Sequence, residues 1–427
     1  MKSFNLLFVL LDTENKRVLV AEKGNLLPSH TEPVGENVGF DEPQMYNNSF
    51  EKATGITVYR RYSFNTEKSV VFVFEHKDTK QTLAENGYKW VLCDDFIDGC
   101  CDAEIAEIVR NVKSHYNISD NMPWVSADGF SPYMNWLISV CDKHNIRITG
   151  KIAQLKNVYV STVFRVPTDN GNIYMKIPGK IFITEIPFTR GLQGLGIVNL
   201  PSWIAYDEKL NVYLMLDMGG NDLPHQSDVS TLHSVIVEYA NIQKASTSHM
   251  PLKFKHYDNT IATMLHKLRT FAEKSCVILQ KTHHALSVDE TKKLEKQVKA
   301  AIAMLESIAS IPIPNTIHHG DVRPGNIRVI DGRYMFYDWA WGAISHPFVE
   351  IISFMHIIRR TLPDETAKET LIDIYIWEWL EYGSYDNLKR TFSVLATLKD
   401  LFFAVVDYDW VEAIIQSSTE PTKPPVC

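Results

Sequence analysis

The chain has 427 residues, of which 45% are hydrophobic and 22% are charged, and this length accommodates two or three folded domains. Its formal net charge of −8 disfavours a nucleic-acid partner and an anionic membrane surface, because both require clustered Lys and Arg. Its six cysteines include no C-x-x-C pair, which argues against a zinc site. Six cysteines in a chain of this length do not form a disulfide framework, so a reducing, cytoplasmic location is predicted.

The N-terminal segment begins with an apolar run, Phe4–Leu11, that ends at Asp12. A signal peptide is disfavoured because no small-residue cleavage site follows, and no apolar run reaches the roughly 18 residues of a membrane helix. We predict instead a strand, a turn at Asp12–Asn15 and a second strand at Arg17–Ala21. Residues 1–116 are predicted to form an α/β domain, with further strands at Val58–Ser63 and Ser69–His76 and a helix at Ala103–Tyr116.

Residues 117–132 are rich in Asn, Ser, Asp, Gly and Pro and are predicted to form a linker. A helix at Tyr133–Asn145 then leads into a β-rich lobe, residues 133–218, in which two β-rich runs flank the hairpin signal "TDNG". Residues 219–427 are predicted to form a helical lobe. The other predicted elements are the strand Val212–Leu216, the helices Asp228–Ser246, Ile261–Thr282 and Val288–Ser310, and further helices from Phe348.

The segment "HHGDVRPGN" contains His319, Asp321 and Asn326 at the spacing H-x-D-x-x-x-x-N. Phosphoryl transfer needs a carboxylate that orients the attacking hydroxyl, oxygen ligands for Mg²⁺ and a cation near the phosphates. Asp321 is the predicted catalytic residue, and Asn326 and Asp338 are the predicted metal ligands. The intervening "IRVIDGRYMFYD" predicts a hairpin turning at its "DG", which would place Asp338 beside Asn326. The alternative is an ordinary loop that turns at a glycine, with Asp338 capping a helix.

These motifs resemble the aminoglycoside phosphotransferase and choline kinase-like family, which shares the protein kinase-like fold. The resemblance lies in "STVFRVPTDNGNIYMKI", "HHGDVRPGNIRV" and "FYDWAWGAISHPFVEI", and it covers Tyr133 to about Val411. Asp338 begins "DWAWG", where protein kinases carry D-F-G. The resemblance implies an α+β chain with a two-lobed protein kinase-like fold, ATP or GTP and Mg²⁺ as cofactors, and a small-molecule hydroxyl acceptor.

The resemblance also implies a strand lysine that reaches the nucleotide phosphates and a glutamate that pairs with it. Lys176 in "NIYMKIP" and Glu185 in "IFITEIPFTRGL" match these positions. Lys180 and Glu208 are weaker candidates. The alternative interpretations are a strand lysine that extends toward water and a solvated helix residue.

Other nucleotide contacts follow from the same resemblance. The phosphate-covering turn is expected near Leu155–Ser161, where no G-x-G-x-x-G occurs, so Ser161 and backbone amides are the candidate contacts. The backbone at Leu216 and Met218 would bind the base edge. Arg323 either contacts the transferred phosphate or pairs with a neighbouring acid. His319 is expected to be a structural hydrogen-bonding residue and not a base.

Residues 1–116 resemble a Nudix domain in the segment "LPSHTEPVGENVGFDEPQMYNNSFEKATGITV". The Arg-Glu positions of the Nudix box hold Asn48 and Ser49, and its Glu-Glu positions hold Lys52 and Ala53. Its earlier acidic position holds Phe40. Without these carboxylates a Mg²⁺ site of that type cannot form. A catalytically inactive Nudix-like domain is therefore expected, with dimerisation, sensing or packing support as open roles. An unrelated α+β domain is the alternative.

The acceptor stays open at the level of the sequence. The segment Ile374–Asp386 carries the aromatic and acidic residues Trp377, Glu378, Trp379 and Glu381, which suit a cationic or sugar-like acceptor. An amphipathic core helix with a solvated acidic face is the preferred interpretation.

The predicted function is a small-molecule kinase acting on a hydroxyl of an aminoglycoside-like, amino-alcohol or sugar acceptor. The alternative is a nucleotide-binding, pseudokinase-like sensor or scaffold without turnover. A protein kinase is disfavoured because no "APE" segment follows Asp338. A homodimer stays an open alternative.

Overall fold

The computed structural model of the chain describes residues 4–12, 17–21, 27–32, 43–66, 69–76, 87–115, 122–125, 129–197, 199–281, 285–406 and 408. Two compact units are present. The first comprises Met1–Lys180 with Trp203–Asp217, and the second comprises Ile181–Ser202 with Met218–Cys427. The predicted mixture of helices and strands is confirmed. Within the described ranges, no helix has the length and apolar character needed to cross a membrane.

The N-terminal part of the first unit is built on a mixed sheet. Its strands are β1 (Phe4–Asp12), β2 (Arg17–Ala21), β3 (Ser29–Glu32), β4 (Val58–Asn65), β5 (Ser69–His76) and β6 (Tyr88–Leu92). The order is β4-β5-β1-β2-β6, with β3 also paired to β1 and with β1 and β5 parallel. Phe8 and Val9 of β1 are buried in different core clusters, since a central strand is covered on both faces. The strand prediction for the first apolar run is confirmed, and the turn after it lies outside the described residues.

Helices α1 (Pro43–Thr54), α2 (Cys93–Gly99) and α3 (Ala103–His115) accompany this sheet. We call β1–β6 with α1–α3 the N-terminal subdomain. Part of the predicted linker is described, and there Trp124 is fully buried and its indole nitrogen donates to the Arg61 carbonyl at 3.1 Å. Helix α4 (Ser131–Lys143) begins two residues before the predicted start. Proline is favoured in the first turn of a helix because its missing N–H has no partner there, and Pro132 takes that position.

The second sheet of the first unit has the order β10-β11-β9-β8-β7. Its strands are β7 (Ala153–Val158), β8 (Ser161–Thr168), β9 (Gly171–Pro178), β10 (Trp203–Asp207) and β11 (Val212–Leu216). The "TDNG" hairpin is confirmed, since Thr168 pairs with Gly171, whose φ is +100°. Strand β10 was not predicted. Most of its side chains are half-buried, and its sequence does not alternate between apolar and polar residues in the way that identifies a strand.

The second unit is mainly helical. Its helices are α5 (Glu185–Gly194), α6 (Val229–Thr247), α7 (Ile261–Lys281), α8 (Val288–Glu306), α9 (Pro347–Ile358), α10 (Glu365–Trp377) and α11 (Tyr385–Thr397). Its strands are β12 (Asn221–Asp222), β13 (Tyr257–Asn259), β14 (Thr316–His318), β15 (Ile327–Ile330), β16 (Arg333–Phe336) and β17 (Ala343–Ser345). They form two small sheets, β12-β15-β16 and β13-β17-β14. Helix α8 begins at a Ser287–Glu290 capping box, as its sequence favours, but ends four residues before the predicted Ser310.

Candidate active site

The predicted catalytic motif follows β14 and ends with a short 3-10 helix, Pro324–Asn326. Gly320 has a φ of +84°, and a Cβ there would collide with Cβ of Trp341 and lie 2.9 Å from its carbonyl oxygen. Glycine is required by both the backbone conformation and the close approach. The chain therefore turns sharply just before Asp321.

Asn326 holds Asp321 through two hydrogen bonds. Its Nδ2 donates to the Asp321 carbonyl oxygen at 2.9 Å and to Asp321 Oδ2 at 2.8 Å. Arg323 Nε donates to the same Oδ2 at 3.0 Å, so Arg323 pairs with a neighbouring acid, one of its two predicted alternatives. Because Nδ2 is engaged, Oδ1 is the atom of the Asn326 amide that suits a hard cation.

Asp338 follows the hairpin of β15 and β16, which is present as predicted. Its turn residues Asp331 and Gly332 have φ of +48° and +76°, as a tight hairpin turn requires. The Tyr337 amide donates to the Asn326 carbonyl at 3.1 Å, so Asp338 directly follows a residue bonded to Asn326. Asp338 itself has a φ of +67°, an uncommon conformation for a residue other than glycine that is enriched at functional sites.

His319 is fully buried and has a structural role. Its Nε2 bonds the Tyr337 carbonyl at 2.9 Å, while its Nδ1 accepts from the Asp321 amide at 3.2 Å. Burial lowers the pKa of the His319 imidazole, although the charges of Glu350 and Asp321 act in the opposite direction. With both nitrogens engaged by backbone groups, the ring orients the loop.

Glu350 in α9 holds the backbone of the same loop. Its buried carboxylate accepts from the Tyr239 hydroxyl at 3.1 Å and from the amides of His319 and Gly320 at 2.6 and 2.9 Å. His318 Nδ1 lies 3.0 Å from the same oxygen. Burial alone raises the pKa of this carboxyl, but His318, His319 and the Gly320 amide reverse that effect and lower it to about 2. Glu350 was not predicted from the sequence, although an acid inside the apolar "HPFVEIISFM" was a usable signal.

Asp222 in β12 connects the segment after Met218 to the β15–β16 hairpin. Arg328 Nη1 lies 2.5 Å from Asp222 Oδ1, and the Tyr337 hydroxyl donates to the same oxygen at 3.1 Å. Arg328 Nε also donates to the Gly219 carbonyl at 2.9 Å. Gly220 has a φ of +61° and no room for a Cβ against the Val329 carbonyl. Asp222 was also missed, because nothing near it in the sequence indicates its partners.

Three of the predicted nucleotide contacts lie in the first unit. Lys176 is 5% exposed in β9 and is paired across the sheet with Val163 and Tyr213. Ser161 begins β8, and its buried hydroxyl has no hydrogen-bond partner among the residues that the structure describes. Leu216 ends β11 with an exposed side chain. Their roles toward a nucleotide stay predictions.

The remaining predicted nucleotide contacts, apart from Arg323, are Glu185 and Met218 of the second unit. Glu185 is buried and begins α5. Met218 is half-buried and precedes two glycines of positive φ. The weaker candidates Lys180 and Glu208 are both exposed. The roles of these four residues toward a nucleotide stay predictions.

The aromatic and acidic segment after α10 divides between core and surface. Trp379 is fully buried, with its ring centroid 6.3 Å from that of Phe348. Trp377 is 56% exposed, and Lys244 Nζ donates to Glu378 at 2.6 Å. Glu381 is exposed. This pattern agrees with the preferred interpretation of a core element with a solvated face.

No protein-family model matches the sequence, and no curated protein matches it. Solved structures do show similarity. A choline kinase from Cryptosporidium parvum Iowa II is 12% identical with a TM-score of 0.49, over 66% of this chain and 93% of that chain. A Plasmodium vivax ethanolamine kinase is 13% identical with a TM-score of 0.45, over 76% of this chain and 91% of that chain. A macrolide 2'-phosphotransferase from Brachybacterium faecium is 12% identical with a TM-score of 0.42, over 68% of this chain and 99% of that chain.

Proposed function

We propose that this chain is a small-molecule kinase of the protein kinase-like fold, which transfers the γ-phosphate of ATP or GTP to a hydroxyl group in a Mg²⁺-dependent reaction. The arrangement of one loop and one hairpin carries the proposal. Asp321 is bonded to Asn326, and Asp338 directly follows the residue whose amide donates to Asn326. A carboxylate, an amide and a second carboxylate are the groups that such a reaction requires.

The available donors fit Mg²⁺, which prefers oxygen ligands and is commonly held by one or two protein groups together with substrate phosphates. Asn326 Oδ1 and the Asp338 carboxylate would supply them. In the part of the chain that the structure describes, no three His, Cys, Asp or Glu side chains cluster in a way that suggests a different metal centre. When bound, the ion would neutralise charge on the transferred phosphate.

Asp321 is assigned to the acceptor hydroxyl. Its Oδ2 accepts from both Asn326 and Arg323, so Oδ1 is the oxygen that we assign to the acceptor. Phosphoryl transfer depends mainly on positioning and electrostatic stabilisation. The two donors, together with the loop geometry imposed by Gly320 and Glu350, hold this carboxylate in one orientation.

On the nucleotide side, we assign the phosphates and the base to separate residues. Lys176, Ser161 and Arg323 would contact the phosphates, and Glu185 would hold Lys176 by an ion pair. The backbone at Leu216 and Met218 would contact the base. The buried Ser161 hydroxyl supports a polar ligand at its turn, because leaving such a group without a partner costs about 1–3 kcal/mol.

We propose further that the N-terminal subdomain is Nudix-like and catalytically inactive. Helix α1 holds Asn48, Ser49, Lys52 and Ala53 at the positions of the motif, with no carboxylate among them. The expected result is no hydrolysis of nucleoside diphosphate derivatives by the full-length protein, and hydrolysis with Mg²⁺ would overturn the assignment of an inactive Nudix-like subdomain.

The free cysteines of the described residues, such as Cys101, support a reducing, cytoplasmic location.

The proposed kinase activity is tested by phosphate transfer from ATP and GTP to a panel of aminoglycosides, amino-alcohols, sugars and nucleosides with Mg²⁺. Asp321→Asn is expected to lower turnover on the active panel member by about 10²–10⁴-fold. Asp331→Asn is the matched control, because Asp331 is exposed and asparagine tolerates its positive φ.

Equal turnover by Asp321→Asn, or no binding of ATP or GTP, would overturn the proposal. Nucleotide binding without transfer to any panel member would favour the alternative of a sensor without turnover.

A further inference from the structure

The N-terminal subdomain contacts the second sheet of the first unit where two irregular strands face each other. In β4 the register shifts between Arg60 and Tyr62, and in β7 it shifts between Gln154 and Lys156. Such bulges leave backbone groups without a partner in the ladder. Arg60 and Gln154 are both fully buried, so water does not satisfy those groups.

The side chain of Gln154 bonds both backbone polar groups of Arg60, which lies beside the bulge of the edge strand β4. Its Oε1 accepts from the Arg60 amide at 2.8 Å, and its Nε2 donates to the Arg60 carbonyl at 2.9 Å. From helix α1, Asn47 Nδ2 donates to the same Oε1 at 3.2 Å, and Gln44 accepts from the Gln154 amide at 3.0 Å. Gln154 is thus bonded to two elements of the N-terminal subdomain.

Asn157 repeats this arrangement three residues later. Its Nδ2 donates to the carbonyls of Arg60 and Arg61, the latter at 3.0 Å. In return, Arg60 Nη2 donates to the Asn157 carbonyl at 3.0 Å. On the other side of β7, Thr162 accepts from Gln154 and donates to the Lys156 carbonyl at 2.9 Å. We call these contacts of Gln154 and Asn157 the amide junction.

The amide junction specifies the register of β7. A slip by one residue would leave several buried amides and carbonyls unpaired, whereas a slip between two apolar surfaces leaves none. The nearby pair of Lys151 and Glu51 is different, because both side chains are partly exposed to water. Exposed pairs of this type contribute little to stability or register.

Strand β7 leads directly into the turn that is predicted to cover the phosphates. Val158 pairs with Ser161, so Tyr159 and Val160 form the turn. The Val160 carbonyl accepts from the Gly179 amide at 2.9 Å, directly after β9, the strand of Lys176. The amide junction, the turn and the end of the lysine strand are therefore joined by consecutive hydrogen-bonded contacts within the first unit.

We propose that the N-terminal subdomain orders the Tyr159–Val160 turn through the amide junction, which makes Gln154 and Asn157 positioning residues for nucleotide phosphates. The inference rests on the proposed function, in which Ser161 contacts those phosphates. It gives a subdomain without Nudix carboxylates a physical role as the support of a strand in the kinase part of the chain.

The test compares full-length wild type with Gln154→Ala, Asn157→Ala and Lys151→Ala by hydrogen–deuterium exchange and by binding of ATP with Mg²⁺. Gln154→Ala is expected to accelerate exchange of the amides in residues 155–162 at least tenfold. It is also expected to weaken ATP binding about tenfold. Lys151→Ala is the matched control at the same boundary, and both quantities are expected to equal those of wild type.

Unchanged exchange in residues 155–162 of a folded Gln154→Ala protein would overturn the inference. Faster exchange with wild-type ATP affinity would overturn it too. If Gln154→Ala loses protection throughout β1 and β5, Asn157→Ala decides by the same comparison, because it retains the Gln154 contacts. Wild type that binds neither ATP nor GTP contradicts the proposed function, and the exchange results alone then decide whether the junction orders the turn.

Discussion

The side-chain amide of Asn326 donates to the Asp321 carboxylate at 2.8 Å and to the carbonyl of the same residue at 2.9 Å. One residue therefore orients the proposed catalytic carboxylate and presents its remaining amide oxygen as a metal ligand. The proposed metal site and the proposed acceptor site are coupled through this contact. A change at Asn326 should consequently affect both the rate and the requirement for Mg²⁺.

Asn326→Ala is expected to lower turnover at least 100-fold and to raise the Mg²⁺ concentration that gives half-maximal activity. The measurement is the initial rate as a function of Mg²⁺ at saturating nucleotide and acceptor. Asn241→Ala, at an exposed position of α6, is the control and should behave as wild type. An unchanged Mg²⁺ dependence in Asn326→Ala would remove Asn326 from the metal site.

Two glycines of positive φ offer a matched pair of substitutions. Gly320→Ala adds a Cβ that collides with Trp341, whereas Gly332→Ala adds one with no atom within 4 Å. Gly320→Ala is expected to reduce the free energy of unfolding by more than about 2 kcal/mol and to abolish turnover. Gly332→Ala should cost about 1 kcal/mol, from its φ alone. Urea denaturation measures both, and equal costs would show that the loop yields around Trp341.

Glu350→Gln is expected to destabilise the protein in a pH-dependent way. The pKa of Glu350 is about 2 when folded, against an ordinary value of 4.5, so its ionised form stabilises the fold above about pH 4.5. This contribution is roughly 3 kcal/mol at neutral pH and is lost as the pH falls toward 2. The stability difference between wild type and variant should therefore narrow below pH 4.5 in urea denaturation.

Glu378→Gln is the control for that experiment, because its ion pair with Lys244 is partly exposed and should contribute less than about 1 kcal/mol. If the difference in unfolding free energy between wild type and Glu350→Gln stays constant down to pH 3, the charge-based account of Glu350 is contradicted.

His346 should also contribute to acid denaturation, because its buried neutral ring gains a charge when it takes up a proton. Burial lowers its pKa to about 3, below the ordinary 6.5, so the neutral ring stabilises the fold above about pH 6.5. That stability declines as the pH falls toward 3. His346→Asn retains the helix cap that His346 provides to the Phe348 amide but does not titrate.

Between pH 7 and pH 5, His346→Asn is expected to lose about 2 kcal/mol less stability than wild type. Urea denaturation at both pH values provides the comparison. Parallel losses in the two proteins would mean that His346 carries its proton in the folded state.

The two tryptophans that flank Glu378 should respond differently to truncation. Trp379→Ala removes a fully buried ring and is expected to cost about 3–5 kcal/mol of unfolding free energy. Trp377→Ala changes a half-exposed ring and should cost under about 1 kcal/mol. If Trp377→Ala instead raises the KM for the acceptor more than tenfold with kcat unchanged, Trp377 belongs to the acceptor site. Thermal denaturation and steady-state kinetics make the distinction.

Sequence reasoning succeeded where the physical cause is local. The hairpins at "TDNG" and at Asp331-Gly332 depend on residues that tolerate positive φ, and both are present. The spacing of Asp321 and Asn326 places both on one short loop, so their contact needs no distant element.

Sequence reasoning failed where a residue acts on distant partners. Glu350 bonds Tyr239 across 111 positions, and Arg328 bonds Asp222 across 106. Gln154 reaches Arg60 across 94 positions, and nothing in its neighbours indicates a bulge on another strand. Strand β10 was missed for a related reason, since its half-buried side chains carry no periodic pattern.

The sequence by itself determined the α+β character, both hairpins, most helices, the loop that carries Asp321 and Asn326, and the place of Asp338 after the second hairpin. These features follow from backbone preferences and spacings over about ten residues. Only the tertiary structure decided that Glu350 orders the loop of Asp321 and that an amide junction connects the N-terminal subdomain to β7. Both depend on burial, because a buried polar group must have a hydrogen-bond partner. When that partner is distant in the chain, the local sequence does not identify it.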